Sequence, residues 1–210
     1  MSPLRQLEPT IERNIEAVTA EPERPRAIWT IGHWTCPREV FLRNLADADI
    51  DHLVDIRAHP GSRRSPQFGA DELPRWLREA GIGYERLPDL GGRRPPQDVD
   101  PDVNGGWLNA SFHHYADYTL TPGYERGLTR LGDLADTHRV VLMCGEPMPW
   151  RCHRLLVANT LAARGWQVWH LLTTAAPRRH TLGIWGATPV TGPDAVVTYP
   201  TGDIGRKPLR

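Results

Sequence analysis

Residues 138–172, "HRVVLMCGEPMPWRCHRLLVANTLAARGWQVWHLL", decide the fold class. "HRVVLMC" is a short apolar run of the kind that fills a buried strand. A polar turn follows, then "RCHRLLVANTLAARG" reads as a helix stopped by Gly165, and "WQVWHLL" as a second buried strand. Strand, helix and strand in that order imply two parallel strands joined by a crossover. The turn between them carries two of the chain's three cysteines, Cys144 and Cys152, together with Glu146, His153 and two arginines.

The same alternation extends towards the N-terminus. "AIWTIGHW" (27–34) reads as a buried strand. "TCPREVFLRNLADADI" (35–50) reads as a helix that Thr35 can cap, with Phe41, Leu45 and Ala48 on one face. "DHLVDIRAHP" (51–60) is a second strand stopped by Pro60. "GADELPRWLREAG" (69–81) gives a helix with Leu73, Trp76, Leu77 and Ala80 inward and Gly81 as its stop, and "IGYERLP" (82–88) a third strand. "GGRRPPQDVDPDVNGGW" (91–107) is a loop by composition. Helix is expected from Phe112 to Ala135 with a break at Thr121-Pro122-Gly123, and Tyr124, Leu128, Leu131 and Ala135 face inward. Strands alternating with helices predict an α/β fold with a mainly parallel sheet.

Three segments follow from this reading. Residues 1–26 are an appendage whose "EPERPR" breaks any helix formed over Ile11 to Ala20. Residues 27–172 form the core, and 173–210 a turn-rich extension with room for a small hairpin or an edge strand. Hydrophobic residues make up 40% of the 210 and charged residues 24%, as suits a globular protein. No apolar run reaches the ~20 residues that span a bilayer, so no membrane partner is expected. The N-terminus has no signal-like apolar core, and three cysteines do not make a secreted disulfide framework; the expected location is cytoplasmic. Net charge is zero, which removes any global electrostatic case for nucleic acid or membranes. Oligomeric state is not legible.

Ligands of parallel α/β sheets bind outside the carboxyl ends of the strands. Here those ends carry Gly32-His33, Asp55-Ile56-Arg57 and Cys144-Gly145-Glu146. The loop "RAHPGSRRSPQFGA" (57–70) adds Arg57, Ser62, Arg63 and Arg64 and no acid, a composition suited to phosphate or carboxylate. "GGRRPP" repeats the theme. A helix starting near Trp150 would put Cys152, His153 and Arg154 in its first turn, where free N–H groups welcome an anion and stabilise a thiolate.

The residues alone leave several chemistries open for this turn. Cys144 can be a packed apolar residue; Glu146, Arg154 and His153 can bind or polarise a substrate. Cys144 or Cys152 can attack with a histidine as base. Zinc is a further reading, with His33 or His59 as added ligands, although the Cys144–Cys152 spacing is wider than the usual structural pair. No metal set and no cofactor is assigned. Asp55 and Glu146 can divide acid and base roles, or Asp55 can simply fix its loop through Arg57 or a backbone N–H. Trp34, Phe68, Trp107 and Trp150 lie in or beside these loops as candidates for base stacking. His113 and His114, adjacent on a helix, point apart and make no metal pair.

Five segments in order, "TIGHW", "LVDIRAHPGSRRSPQF", "GIGYERLPDLGG", "HHYADY" and "VVLMCGEPMPWRCHR", resemble the bacterial and archaeal family named domain of unknown function 488. The resemblance covers about residues 27–172. It departs at Trp34, where the family commonly has a small hydroxyl residue, and at Gly145, where alanine is common. It implies a single Rossmann-like α/β domain, a three-layer sandwich. It also implies a shared site of His33, Asp55, Arg57, Ser62, Arg63, Cys144, Glu146, Cys152, His153 and Arg154. The function expected is an enzyme on a phosphate-bearing substrate, a nucleotide or nucleic acid, working by hydrolysis or glycosyl transfer. Asp55, Glu146, Cys144 and His153 are the catalytic candidates, and His33, Arg57, Ser62, Arg63, Cys152 and Arg154 the binding ones. The alternatives are a non-catalytic nucleotide- or nucleic-acid-binding module and a cysteine-based metal or redox protein.

Overall fold

The computed structural model describes residues 26–61, 64–173 and 175–201. Strand β1 (Ala27–Gly32) leads through helix α1 (Arg38–Ala46) to β2 (His52–Asp55), and α2 (Glu72–Glu79) leads on to β3 (Gly83–Arg86). After a long loop come α3 (Ala110–Tyr118), α4 (Pro122–Thr137), β4 (Val140–Cys144), α5 (Arg154–Ala163) and β5 (Gln167–Leu172). The chain ends in β6 (Ala175–Arg179) and the small hairpin β7 (Val190–Thr191) and β8 (Val197–Thr198). The central sheet runs β3-β2-β4-β1-β5-β6, parallel except for β6, which pairs antiparallel with β5.

Period-two alternation along the strands divides the core. Trp29, Ile31, Leu53, Val141 and Met143 pack with Phe41 and Leu45 of α1 and Leu73, Trp76 and Leu77 of α2. Ile28, Val54, Val140, Leu142 and Val168 face the other way, towards α3, α4 and α5. This is a Rossmann-like α/β sandwich in a single domain. The strand order explains the two faces. From β1 the chain steps outward to β2 and β3, then returns to insert β4 between β2 and β1. A right-handed crossover that reverses direction must cross on the opposite face. The reversal therefore opens a crevice at the carboxyl end of β4, flanked by β1 and β2.

Local details depart from the sequence reading in four places. Helix α1 starts at Arg38 with Pro37 at its N-cap, so Thr35 does not cap it. Ala80 is exposed beyond the end of α2, because the left-handed turn at Gly81 (φ 74°) has begun to lift the chain away. Residues 149–151 form a 3-10 turn and Cys152 is extended (φ −138°, ψ 149°), so α5 starts only at Arg154. Cys152 therefore precedes the first helical turn, and His153 is the N-cap. The extension after residue 172 supplies the edge strand β6 and the hairpin, both foreseen as alternatives, and it also completes the core. Helix α5 is buried from Arg154 through Leu161, all the way round, because Val197 and Tyr199 of the extension belong to the cluster that encloses it. The expected helix over residues 11–20, Ser62 and Arg63 lie outside the described residues. Among those described, no helix is long and apolar enough to cross a membrane.

Candidate functional site

The crevice is a cleft of ≈ 640 Å³ lined from five parts of the chain. His33 and Trp34 follow β1, Arg57, His59 and Arg64 follow β2, and Gly92 and Arg93 come from the long loop. Phe112 and Tyr115 come from α3, and Cys144, Glu146, Arg151, Cys152 and His153 from the turn between β4 and α5.

The β1 end is shaped by Gly32. A Cβ there would stand 2.0 Å from the Glu146 carbonyl oxygen, so only glycine lets the turn after β4 lie across β1. Beyond Gly32 the ladder continues, with His33 N–H donating to the Cys144 carbonyl (3.0 Å) and Trp34 N–H to that of Gly145 (2.9 Å). Trp34 then takes a left-handed conformation (φ 40°), unusual for a bulky residue, which turns its carbonyl back over the site. That carbonyl accepts from His33 Nδ1 (2.8 Å) and from the Ser65 hydroxyl (2.8 Å). A carbonyl can only accept, so the proton of His33 is on Nδ1, and Nε2 offers its lone pair to Arg57 Nη1 at 3.3 Å. Burial first, and then the charge of Arg57, lower the His33 pKa to about 4. The ring is a neutral spacer stacked on Phe68, 4.4 Å away.

At the β2 end, Asp55 is fully buried and does not line the cleft. Its Oδ1 accepts from the Arg57 backbone N–H (3.0 Å) and Nε (2.9 Å); its Oδ2 accepts from Arg57 Nη2 (2.6 Å) and the Tyr84 hydroxyl (3.1 Å). Arg57 Nη1 also donates to the Phe68 carbonyl at 2.7 Å. Asp55 is thus an anchor for Arg57, the loop-fixing role that its sequence left open beside acid–base work. Burial, then the Asp55 charge and hydrogen bond, raise the Tyr84 pKa well above the ordinary tyrosine range, so it remains a donor.

The β4 end is built differently. Glu146 is half-buried in the cleft, and among the described residues its carboxylate has no hydrogen-bond or ion-pair partner. Its carbonyl instead accepts from Arg154 Nη2. Arg154 is fully buried, donates through Nη1 to Thr30 Oγ1 (3.3 Å), and keeps its Nε without a partner. Cys144, Cys152 and His153 meet on the cleft wall, their sulfur and nitrogen atoms all within 4.8 Å of one another. Burial would raise the Cys152 thiol, but the Cys144 hydrogen bond, the Arg154 charge and the Arg154 N–H groups outweigh it and bring the pKa to about 6. Cys144, half-buried, is pushed up to about 12 by its hydrogen bond to that sulfur and then by desolvation.

Of the residues expected at the site, His33, Arg57, Cys144, Glu146, Cys152 and His153 share one cleft; Asp55 and Arg154 stand directly behind it. Trp34 is 52% exposed at the mouth, whereas Phe68 and Trp107 are buried and Trp150 packs on Trp185 at 4.8 Å. Phe112, Tyr115 and Arg151 also line the cleft, beyond the residues that the sequence nominates. Helix α3 is separated from the strand ends by more than twenty residues of loop, so no local signal could place its aromatics there. Arg64, Arg93 and Arg151 are exposed on the cleft, and none has a carboxylate partner among the described residues.

No curated protein matches the chain. The family described as "Domain of unknown function DUF488" matches residues 37–161, well over half of its length. That span holds α1 to α5 except the last two residues of α5, and the cleft-lining residues named above apart from His33 and Trp34; Thr30 and Gly32 also precede it. The matched segment carries the cleft's carboxylate and its cysteine pair, the β1 end with His33 and Trp34 lying just before it, and the chain belongs to the DUF488 family.

Proposed function

We propose that this protein is an enzyme acting on a phosphate-bearing substrate, a nucleotide or a nucleic-acid end, by hydrolysis or glycosyl transfer. The observation that carries the reading is one carboxylate, Glu146, with no partner among the described residues, in a ≈ 640 Å³ cleft rimmed by Arg64, Arg93 and Arg151, which have no carboxylate partner among those residues either. Unpaired arginines at a cleft mouth bind phosphate oxygens in charge-assisted pairs. Trp34 and Phe112 offer ring faces to a base, each stacking contact contributing ~1–3 kcal/mol. Glu146 then takes a proton from the attacking water and returns it to the leaving group. Asp55 works through Arg57 and does not exchange protons with substrate.

The test is turnover of a panel of nucleotides, nucleosides and short oligonucleotides by the wild type and by Glu146→Gln. The expected result is turnover in the wild type and its loss in the variant, with binding retained. Salt-dependent binding without turnover in the wild type would establish the binding-module reading instead. Undiminished turnover in Glu146→Gln would remove the carboxylate from the chemistry.

A further inference from the structure

The cysteine–histidine cluster takes no part in that proton transfer, and its geometry has a different use. Cys152 Sγ and His153 Nδ1 are 3.5 Å apart. Bonds of ~2.3 Å to sulfur and ~2.0–2.1 Å to nitrogen at a tetrahedral zinc separate such donors by about 3.5 Å. His153 Nε2 lies 3.0 Å from the Ile56 carbonyl, so Nε2 carries the proton and Nδ1 turns its lone pair to the sulfurs. An outer hydrogen bond to a carbonyl is how metal-binding histidines are held. Glycine at 92 keeps the approach open, because a Cβ there would sit 2.7 Å from His153 Nδ1.

We propose that Cys144, Cys152 and His153 form a three-ligand site for a soft divalent cation of the zinc class, its fourth position open to the cleft. Two thiolates and a neutral imidazole balance the charge of the ion. Hard cations such as magnesium and calcium, which take oxygen ligands, do not suit two sulfurs. Buried Arg154, whose Nε has no partner, sets a positive charge beside the Cys152 sulfur. Its positive charge opposes the ion, and the direct bonds from the two thiolates offset that repulsion. Cys152 is only 5% exposed, which suits a ligand better than an attacking nucleophile. All three ligands line the cleft, so a bound ion presents its free position to whatever fills it. A set of three protein ligands with one open position is the arrangement of catalytic rather than structural zinc.

The experiment uses full-length protein stripped with a chelator and titrated first with cobalt(II), then with zinc. One equivalent of cobalt should produce intense thiolate-to-metal absorption that zinc abolishes, and zinc should protect two of the three cysteines from a thiol reagent. Cys144→Ser and Cys152→Ser should lose the absorption, while His153→Ala should weaken cobalt binding at least tenfold. Cys36→Ser and Glu146→Gln should bind as the wild type does, which separates this site from the proton-transfer proposal. The wild-type titration needs no variant to fold. Three reactive thiols and no thiolate absorption in the presence of cobalt would overturn the proposal. A Cys144–Cys152 disulfide in fresh protein, or absorption that persists in both serine variants, would do the same.

Discussion

The polar groups beneath the strand ends and those on the cleft wall use the same residue types to opposite ends. Beneath the strands nearly every donor meets an acceptor. Asp55 is enclosed by Arg57 and Tyr84, and Arg57 reaches on to Phe68 and His33. A second chain runs from Arg154 Nη1 to Thr30, from Thr30 to His170 Nδ1 (2.7 Å), and from His170 Nε2 to His180 Nδ1 (3.1 Å). It continues from His180 Nε2 to Asn159 Oδ1 (2.9 Å), and Asn159 Nδ2 donates to the Tyr199 hydroxyl (2.8 Å). Asn159 Oδ1 can only accept, which fixes both histidine tautomers back to Thr30. On the cleft wall, Glu146, Arg64, Arg93 and Arg151 lack such partners among the described residues. Groups satisfied at folding hold the shape, and groups left unsatisfied are those a ligand can use.

Breaking the frame should cost stability, and breaking the wall should not. The largest effect belongs to Asp55→Asn, which leaves the Arg57 charge buried and unpaired; a loss of ~3–5 kcal/mol in urea unfolding is expected. A loss below ~1 kcal/mol would return Asp55 to the catalytic candidates. The next effect is acid sensitivity of the histidine chain. Burial first, then the neighbouring charges, lower His170 to about 3, and burial lowers His180 to about 4, from 6.5. Protons therefore bind the unfolded chain more readily. The stability these residues contribute is fully present above pH 6.5 and is lost as pH falls from there towards 4 and 3. Urea midpoints should drop across that window, and His180→Gln should flatten the drop. An unchanged slope would dismiss the chain as a pH-sensitive element.

Smaller still is Tyr84→Phe, at about 1 kcal/mol, because Asp55 keeps its bonds from Arg57. Calorimetric or urea unfolding would resolve it from Asp55→Asn. Smallest is Glu146→Gln, expected within ~0.5 kcal/mol of the wild type in stability while turnover disappears. A large destabilisation there would place Glu146 in the frame and erase the contrast.

The β1, β2, β4 and β5 strands were legible because each is a short apolar run closed by polar or turn residues, the pattern of a strand buried on both faces. Their carboxyl ends announced His33, Arg57, Cys144 and Glu146 for the same reason. The Asp55 role was not legible, since a carboxylate before an isoleucine and an arginine reads alike whether its side chain turns back to the arginine or out to the cleft. Only packing against Tyr84 and the buried turn chooses between them. The start of α5 is not legible either, because Pro149 opens a 3-10 turn that Cys152 ends in extended backbone.

What the sequence by itself determined is the parallel α/β order and the strand-end location of the chemistry, because hydrophobic period and turn composition are local properties. What only the tertiary structure decided is which polar groups are spent on one another. Cys144 and Cys152 meet across an eight-residue step, Tyr84 reaches Asp55 from a neighbouring strand, and Tyr199 closes a chain that begins at Arg154. Such pairings depend on distances through space that chain spacing does not encode, and they separate the scaffold of this cleft from its working surface.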